Sequence, residues 1–336
     1  MFMSSLLGKF KNWIPGLSET RRRRDHFIVQ CKAVIEANKN SNYEEACKLL
    51  KEIAEENPKL STVWDSWGLA LGKWGDLGGP DAKEHYHEAS KKFQKATEID
   101  PDNDEAFYNW GITFSNLAEF GGQQSEEFYR QACEKYQKAA DIKSDDHKTF
   151  CNWGLALAKW GDLGGPDAEK HYREACEKFQ RATEIKLDEH KAFNSWGLAL
   201  EKWADIGGSE AENRYQLACE KYQKAIEIDP MAYEVFDNCG VAFLSWAQLK
   251  DGQEREKLYQ EAEEILLRAE AIKRGEGAYN LGCLFALRNN EEKCKYWLKV
   301  GEEAKTLPTR EEAMKDEDLA SVRDKDWFKA IRWKGE

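Results

Sequence analysis

Apolar residues along this chain recur at intervals of three and four, and the whole pattern repeats every 43 residues. Between Trp64 and Pro101, the residues Trp64, Trp67, Gly68, Leu71 and Trp74 fall on one helical face. Tyr86, Ala89, Phe93 and Ala96 fall on a second one. The pattern predicts a first helix over roughly Thr62 to Asp76, broken by Leu77-Gly78-Gly79-Pro80. Pro80 suits the first turn of the next helix, where its missing N–H costs nothing. In a later copy, Ser209 and Glu212 read as a capping box at the same place. The second helix is expected to end near Asp100-Pro101, because proline disfavours helix in the residue before it.

The repeat is marked by glycines at 68, 111, 154, 197 and 240. They sit in phrases such as Trp67-Gly68-Leu69-Ala70-Leu71, Trp153-Gly154-Leu155-Ala156-Leu157 and Trp196-Gly197-Leu198-Ala199-Leu200. A fixed period of this kind marks a solenoid, in which each unit packs on its neighbours and the stack presents an extended binding surface. Glycine in these phrases lets the two helices of a unit come close. A larger side chain there is expected to overpack the core by about 1–3 kcal/mol. Trp74, Trp160, Trp203 and Trp246 form one column, and Tyr86, Tyr129, Tyr172, Tyr215 and Tyr259 another. Aromatic faces at helical spacing bury large apolar areas, so these columns are read as core rather than as a ligand-stacking ladder. The near-identical runs Trp74–Ala82 and Trp160–Ala168 point to duplication of a structural unit.

These residues resemble the tetratricopeptide repeat, Trp-x2-Leu-Gly-x2-Tyr…Ala-x3-Phe…Pro. Here the pattern stands as Trp64-x2-Trp67-Gly68-x2-Leu71, then Ala89-x3-Phe93-x2-Ala96-x4-Pro101. One departure is regular: Gly68 to Ala89 spans 21 residues where the family has 12, and the same excess recurs at Gly111–Ala132, Gly154–Ala175 and Gly197–Ala218. About one extra turn on each helix plus the Gly-Gly bend accounts for it, deepening the groove by about 5.4 Å per turn. Short units of ordinary spacing stand at the ends, with Val34, Ala46, Leu50, Ile53 and Pro58 in one and Gly282, Cys294 and Leu298 in the other. The resemblance implies an all-α fold, an α-solenoid built as a right-handed superhelix of antiparallel helix pairs. Seven pairs are expected: 27–60, 61–103, 104–146, 147–189, 190–232, 233–275 and 276–308. Residues 309–336 are expected to close the last pair, and 1–26 to form a separate N-terminal arm.

In the resembled family the first helices line the concave face. Eleven residues are close to three helical turns, so Lys148, Cys151, Leu155 and Lys159 share one inward stripe, and Lys191, Asn194, Leu198 and Lys202 another. The remaining stripes are Thr62, Asp65, Leu69, Lys73; Glu105, Tyr108, Ile112, Asn116; and Glu234, Asp237, Val241, Ser245. Each has an apolar residue at its middle, and the third and fourth long units place lysines at both ends. A protein or peptide with an apolar ridge and flanking acidic residues fits such a groove. Asn109, Asn152 and Asn238 recur beside the stripes, as contacts for a peptide backbone or as caps for local polar groups. Some family members clamp a C-terminal carboxylate with Lys and Asn; Leu69, Ile112 and Leu155 stand where the asparagines are needed, so that mode is not expected.

The net charge of −12 speaks against a general nucleic-acid binder, which carries a basic footprint. The arm is the exception: Lys9, Lys11 and Arg21 to Arg24 face only Glu19 and Asp25. Phe2, Met3, Leu6, Leu7, Phe10, Trp13 and Ile14 recur there at helical spacing. Such a segment docks on a partner, caps the array or lies on a membrane surface; its shortness favours docking or capping. There is no apolar run of about 18 residues and no signal-peptide order. Nine cysteines without a Cys-x-x-Cys pair suit a reducing compartment and no zinc site, so a cytoplasmic protein without cofactor is expected. Cys133, Cys176 and Cys219 are repeat equivalents and read as small core residues. Of the six histidines, His85 and His171 are repeat equivalents, as are His147 and His190, so they do not converge, and no nucleotide, kinase or metalloprotease signature occurs. An interaction scaffold or adaptor, as part of a larger complex, is the expected function, and not an enzyme; the alternative is a self-assembling or membrane-surface scaffold.

Overall fold

The computed structural model describes residues 19–336, which fall into two compact halves, 19–163 and 164–336. The predicted amphipathic segment, residues 1–14, lies outside the described residues. The N-terminal half consists of α1 (Glu19–Lys39), α2 (Tyr43–Glu56), α3 (Ser61–Asp76), α4 (Ala82–Ile99), α5 (Asp104–Glu119), α6 (Ser125–Ile142) and α7 (His147–Asp162). The C-terminal half consists of α8 (Ala168–Ile185), α9 (His190–Asp205), α10 (Ala211–Ile228), α11 (Tyr233–Gln248), α12 (Gly252–Ile272), α13 (Ala278–Leu287) and α14 (Glu291–Ala304). Two short helices follow, α15 (Arg310–Lys315) and α16 (Asp326–Lys329), with a 3-10 turn at Glu317–Leu319 between them. Among the described residues there is no strand, and the fold is an all-α solenoid of consecutively packed helix pairs. Helix α1 starts at Glu19, so residues 19–26 belong to the first helix and not to a separate arm.

Within each half, each helix from α1 to α7 and from α8 to α14 packs on the next, most closely in the pairs α3/α4, α5/α6, α9/α10, α11/α12 and α13/α14. The reason lies in the repeated glycine. A Cβ added at Gly68 would stand 2.8 Å from the Phe93 ring, and at Gly111 and Gly197 it would stand 2.7 Å from Tyr136 and Tyr222. Those three rings are almost wholly buried. The ring of the second helix therefore rests directly on the backbone of the first, and only glycine leaves room for it. The tyrosine column is buried as well, from Tyr86 to Tyr259, whereas Trp74, Trp160, Trp203 and Trp246 are half-buried. Trp74 stacks on His85 at 4.0 Å, and Trp203 is covered by the Arg214 guanidinium at 4.2 Å. Cys176 and Cys219 are buried and Cys133 half-buried; burial pushes the Cys176 thiol up to about 12.

The turn between the helices of a pair differs from the expectation in one respect. Gly78 and Gly79 adopt φ of 76° and 98°, a region that side-chain-bearing residues rarely enter. The turn closes on itself, with the N–H of Ala82 donating to the Gly79 carbonyl. Helix α4 thus begins at Ala82, and Pro80 lies in the turn before it, not in its first helical turn. The same geometry removes the capping box: the N–H of Ala211 donates to Gly208, α10 is preceded by Glu210, and Ser209 caps nothing there. At the other end of α4, Asp100 is extended ahead of Pro101.

The C-terminal segment seals α13 and α14 with Leu319, Phe328, Ile331 and Trp333, all buried. Cys283, Asp316 and Asp318 come together there, within 4.8 Å of one another. The two carboxylates are occupied by protein donors: Tyr279 Oη donates to Asp316 at 2.6 Å and Gln248 Nε2 to Asp318 at 2.8 Å. The grouping is a lock that fastens the segment to α11 and α13.

Candidate partner-binding face

The first helices of successive pairs touch one another, α3 with α5 and α5 with α7 in the N-terminal half, α9 with α11 and α11 with α13 in the C-terminal half. On α7, Ala156 and Leu157 turn into the core, while Leu155 is 37% exposed. On α9, Ala199 and Leu200 are buried and Leu198 is 40% exposed. Leu69, Ile112 and Val241 hold the same place half-buried. The middle of each stripe is thus the apolar residue that its helix pair does not use.

Lys73, Lys148, Lys159, Lys191 and Lys202 are all exposed, but they are not equivalent. Lys159 pairs with Glu119 of α5, and Lys202 lies 3.7 Å from Asp205 of its own helix. Among the described residues, Lys73, Lys148 and Lys191 have no ion pair. The asparagines join neighbouring first helices. Asn152 Nδ2 donates to Tyr108 Oη at 2.7 Å, and Asn238 Nδ2 to Asn194 Oδ1 at 3.1 Å. Asn280 Nδ2 extends the ladder to Asp237 at 2.8 Å. Burial pushes the Tyr108 hydroxyl up to about 12, which keeps it protonated in this role. Asn109 is buried, and its Nδ2 has no hydrogen-bond partner among the described residues. The structure therefore gathers Leu69, Lys73, Tyr108, Asn109, Ile112, Lys148, Asn152, Leu155 and Lys159 on α3, α5 and α7. It places Lys191, Asn194, Leu198 and Lys202 on α9 in the other half.

Two acidic features escaped the sequence reading. Glu201 on α9 is only 7% exposed, and Tyr222 Oη donates to it at 2.8 Å. Desolvation pushes its carboxyl up to about 7, and burial pushes Asp237 on α11 up to about 6. A signal existed: the position of Glu201 holds Gly72, Ser115 and Ala158 in other copies. It is polar where the ring opposite is Tyr136 or Tyr222, and small and apolar where that ring is Phe93 or Phe179. The second feature is an open cavity of about 400 Å³ between the ends of α3 and α5, bordered by Asp76, Tyr86, Asn116, Glu119 and Phe120.

Comparison with solved structures settles the architecture. The C-terminal part of a TPR repeat-containing protein from Cytophaga hutchinsonii superimposes with a TM-score of 0.56, covering 87% of this chain and 98% of that one at 13% identity. The chain has the tetratricopeptide-repeat fold. Two further tetratricopeptide-type matches are looser. PilF of Pseudomonas aeruginosa is 16% identical over 74% of this chain and 92% of its own, with a TM-score of 0.48. YrrB, described as a TPR protein with an unusual peptide-binding site, is 20% identical over 67% of this chain and 92% of its own, with a TM-score of 0.45. No family model and no curated protein matches the sequence. In this tetratricopeptide-repeat chain, no described helix is long and apolar enough to cross a membrane.

Proposed function

We propose that this protein is a non-catalytic, intracellular interaction module that grips partner polypeptides along its first helices. The observation that carries this reading is the exposure of Leu155 and Leu198 at the middle of α7 and α9, each between two exposed lysines. Covering the remaining exposed part of such an aliphatic side chain contributes about 1 kcal/mol. The partner of such a face is a segment with an apolar ridge. On the N-terminal half its acidic residues would lie opposite Lys148, and a segment on the C-terminal half would place them opposite Lys191, the two stripe lysines at these helices that no described carboxylate holds. An adaptor role within a larger complex follows from the same surface.

Leu155→Asp and Leu198→Asp, made separately, test this half by half. Binding of acidic amphipathic peptides from an array is measured by fluorescence anisotropy. Each substitution is expected to weaken binding to its own half about tenfold or more, with unchanged circular dichroism. Lys148→Glu and Lys191→Glu are expected to weaken binding more at low salt than at high salt. Peptides that bind the wild-type chain and all four variants equally would place the site elsewhere. Growth in light scattering with concentration, without peptide, would favour self-assembly instead.

A further inference from the structure

A cavity opens at the turn edge of the N-terminal half; it takes one stripe residue, Asn116 of α5, into its lining and has the stripe lysine Lys159 beside its rim. Asp76 is the last residue of α3 and Glu119 the last of α5. The cavity of about 400 Å³ opens between these two helix ends. Tyr86 of α4 and Phe120 line it together, their rings meeting edge to face at 6.0 Å. Asp76 Oδ1 accepts two hydrogen bonds, from Tyr86 Oη at 2.7 Å and from Asn116 Nδ2 at 3.2 Å. These bonds fix the carboxylate, and no described residue donates to its Oδ2. Glu119 stands at the rim, paired with Lys159.

The charge at this place is unusual for a helix end. The C-terminus of a helix carries about half a negative charge from its unsatisfied carbonyls, and a carboxylate there is disfavoured. Here two such termini and two carboxylates face one cavity, and Asp76 has no cation of its own among the described residues. Lys73, one turn before Asp76, is exposed and leaves that carboxylate unpaired. In the C-terminal half the equivalent carboxylate is treated differently: Asp205 is held by Tyr215 Oη at 2.6 Å and has Lys202 3.7 Å away. The α3 copy thus keeps the anchored carboxylate and lacks the cation.

We propose that this cavity takes the cationic side chain, lysine ammonium or arginine guanidinium, of a partner polypeptide. Carboxylate oxygens receive the N–H groups, and the exposed Phe120 ring covers the aliphatic stem behind the charge. The row of turn residues beside it supplies apolar contact: Leu77 is 65% exposed and Phe120 47%. That the cation belongs to a polypeptide rests on the interaction-module reading; that the cavity binds a cation does not.

The test uses the full chain and three small probes, N-acetylarginine amide, N-acetyllysine amide and the uncharged isostere N-acetylcitrulline amide. Binding is followed by NMR at the side-chain amide of Asn116. Saturable shifts are expected with the arginine or lysine probe and none with citrulline. Asp76→Asn keeps an acceptor for Tyr86 and is expected to weaken binding at least tenfold, and Phe120→Ala several-fold. Equal binding of citrulline, or unchanged affinity in Asp76→Asn, would overturn the proposal. Leu155→Asp is expected to leave the probes' affinity intact, so failure of the stripe reading and failure of this one are distinguishable. An arginine-bearing amphipathic peptide that binds tighter than the amide, and loses that gain in Asp76→Asn, shows that the cation arrives on a polypeptide.

Discussion

Gly111→Ala destabilises the N-terminal half by about 1–3 kcal/mol, and Gly111→Val by about 3 kcal/mol or more. The added methyl meets Cε1 of Tyr136 at 2.7 Å, and Tyr136 is 1% exposed, with no free space to move into. Either the ring leaves its rotamer or α5 lifts off α6, and both lose contacts along the pair. Gly72 supplies the control. It lies in α3, and a Cβ there would meet nothing within 4 Å. Gly72→Ala is expected to raise stability by about 0.5–1 kcal/mol, because alanine loses less backbone entropy in a helix than glycine. Urea denaturation of the three variants decides the matter. If Gly72→Ala and Gly111→Ala shift the midpoint in the same direction, close approach of ring and backbone is not what the repeated glycine provides.

The stability of the C-terminal half falls as pH rises between about 4.5 and 7. Burial raises the Glu201 carboxyl to about 7 in the folded chain, against about 4.3 for an unfolded glutamate. The folded state therefore holds this proton more tightly than the unfolded state. Its contribution is complete below the unfolded value and is lost as pH climbs through the folded one. Glu201→Gln still accepts from Tyr222 but does not titrate. It is expected to come close to the wild type near pH 4.5 and to exceed it at pH 8 by about 3 kcal/mol. Asp237, raised to about 6, pushes in the same direction. Asp237 also lies close enough to raise Glu201 further, so the two substitutions are expected to be less than additive. Urea midpoints of wild type and Glu201→Gln at pH 5 and pH 8 give the answer; parallel curves would show that Glu201 is ionised in the fold at both.

Much of the fold was legible because its determinants are local and periodic. The glycine-centred phrases mark the first helices, and Ala89, Phe93 and Ala96 mark the buried face of a second one, all within one helix pair. Legibility ended where a contact joins neighbouring pairs. Asn152 and Tyr108 are 44 residues apart, and nothing in either repeat says that the amide reaches back instead of standing free. Lys159 and Lys202 occupy equivalent places, yet one pairs with the preceding first helix and the other with its own. The cavity beside Asp76 depends on Asn116, 40 residues on, and on the exact path of a Gly-Gly turn that also moved the start of α4 past Pro80. Glu201 was missed for the opposite reason: its position varies among glycine, serine, alanine and glutamate, so no column drew the eye.

The thiols give the solenoid a built-in set of clocks. Seven of the nine cysteines are buried, and they sit on different helices from α1 to α14. A small alkylating reagent reaches such a sulfur only when its helix opens. The rate at which each one is modified under native conditions therefore reports the opening free energy of that stretch alone. Quenched labelling read by mass spectrometry would rank the helix pairs by how often they breathe, without altering one residue.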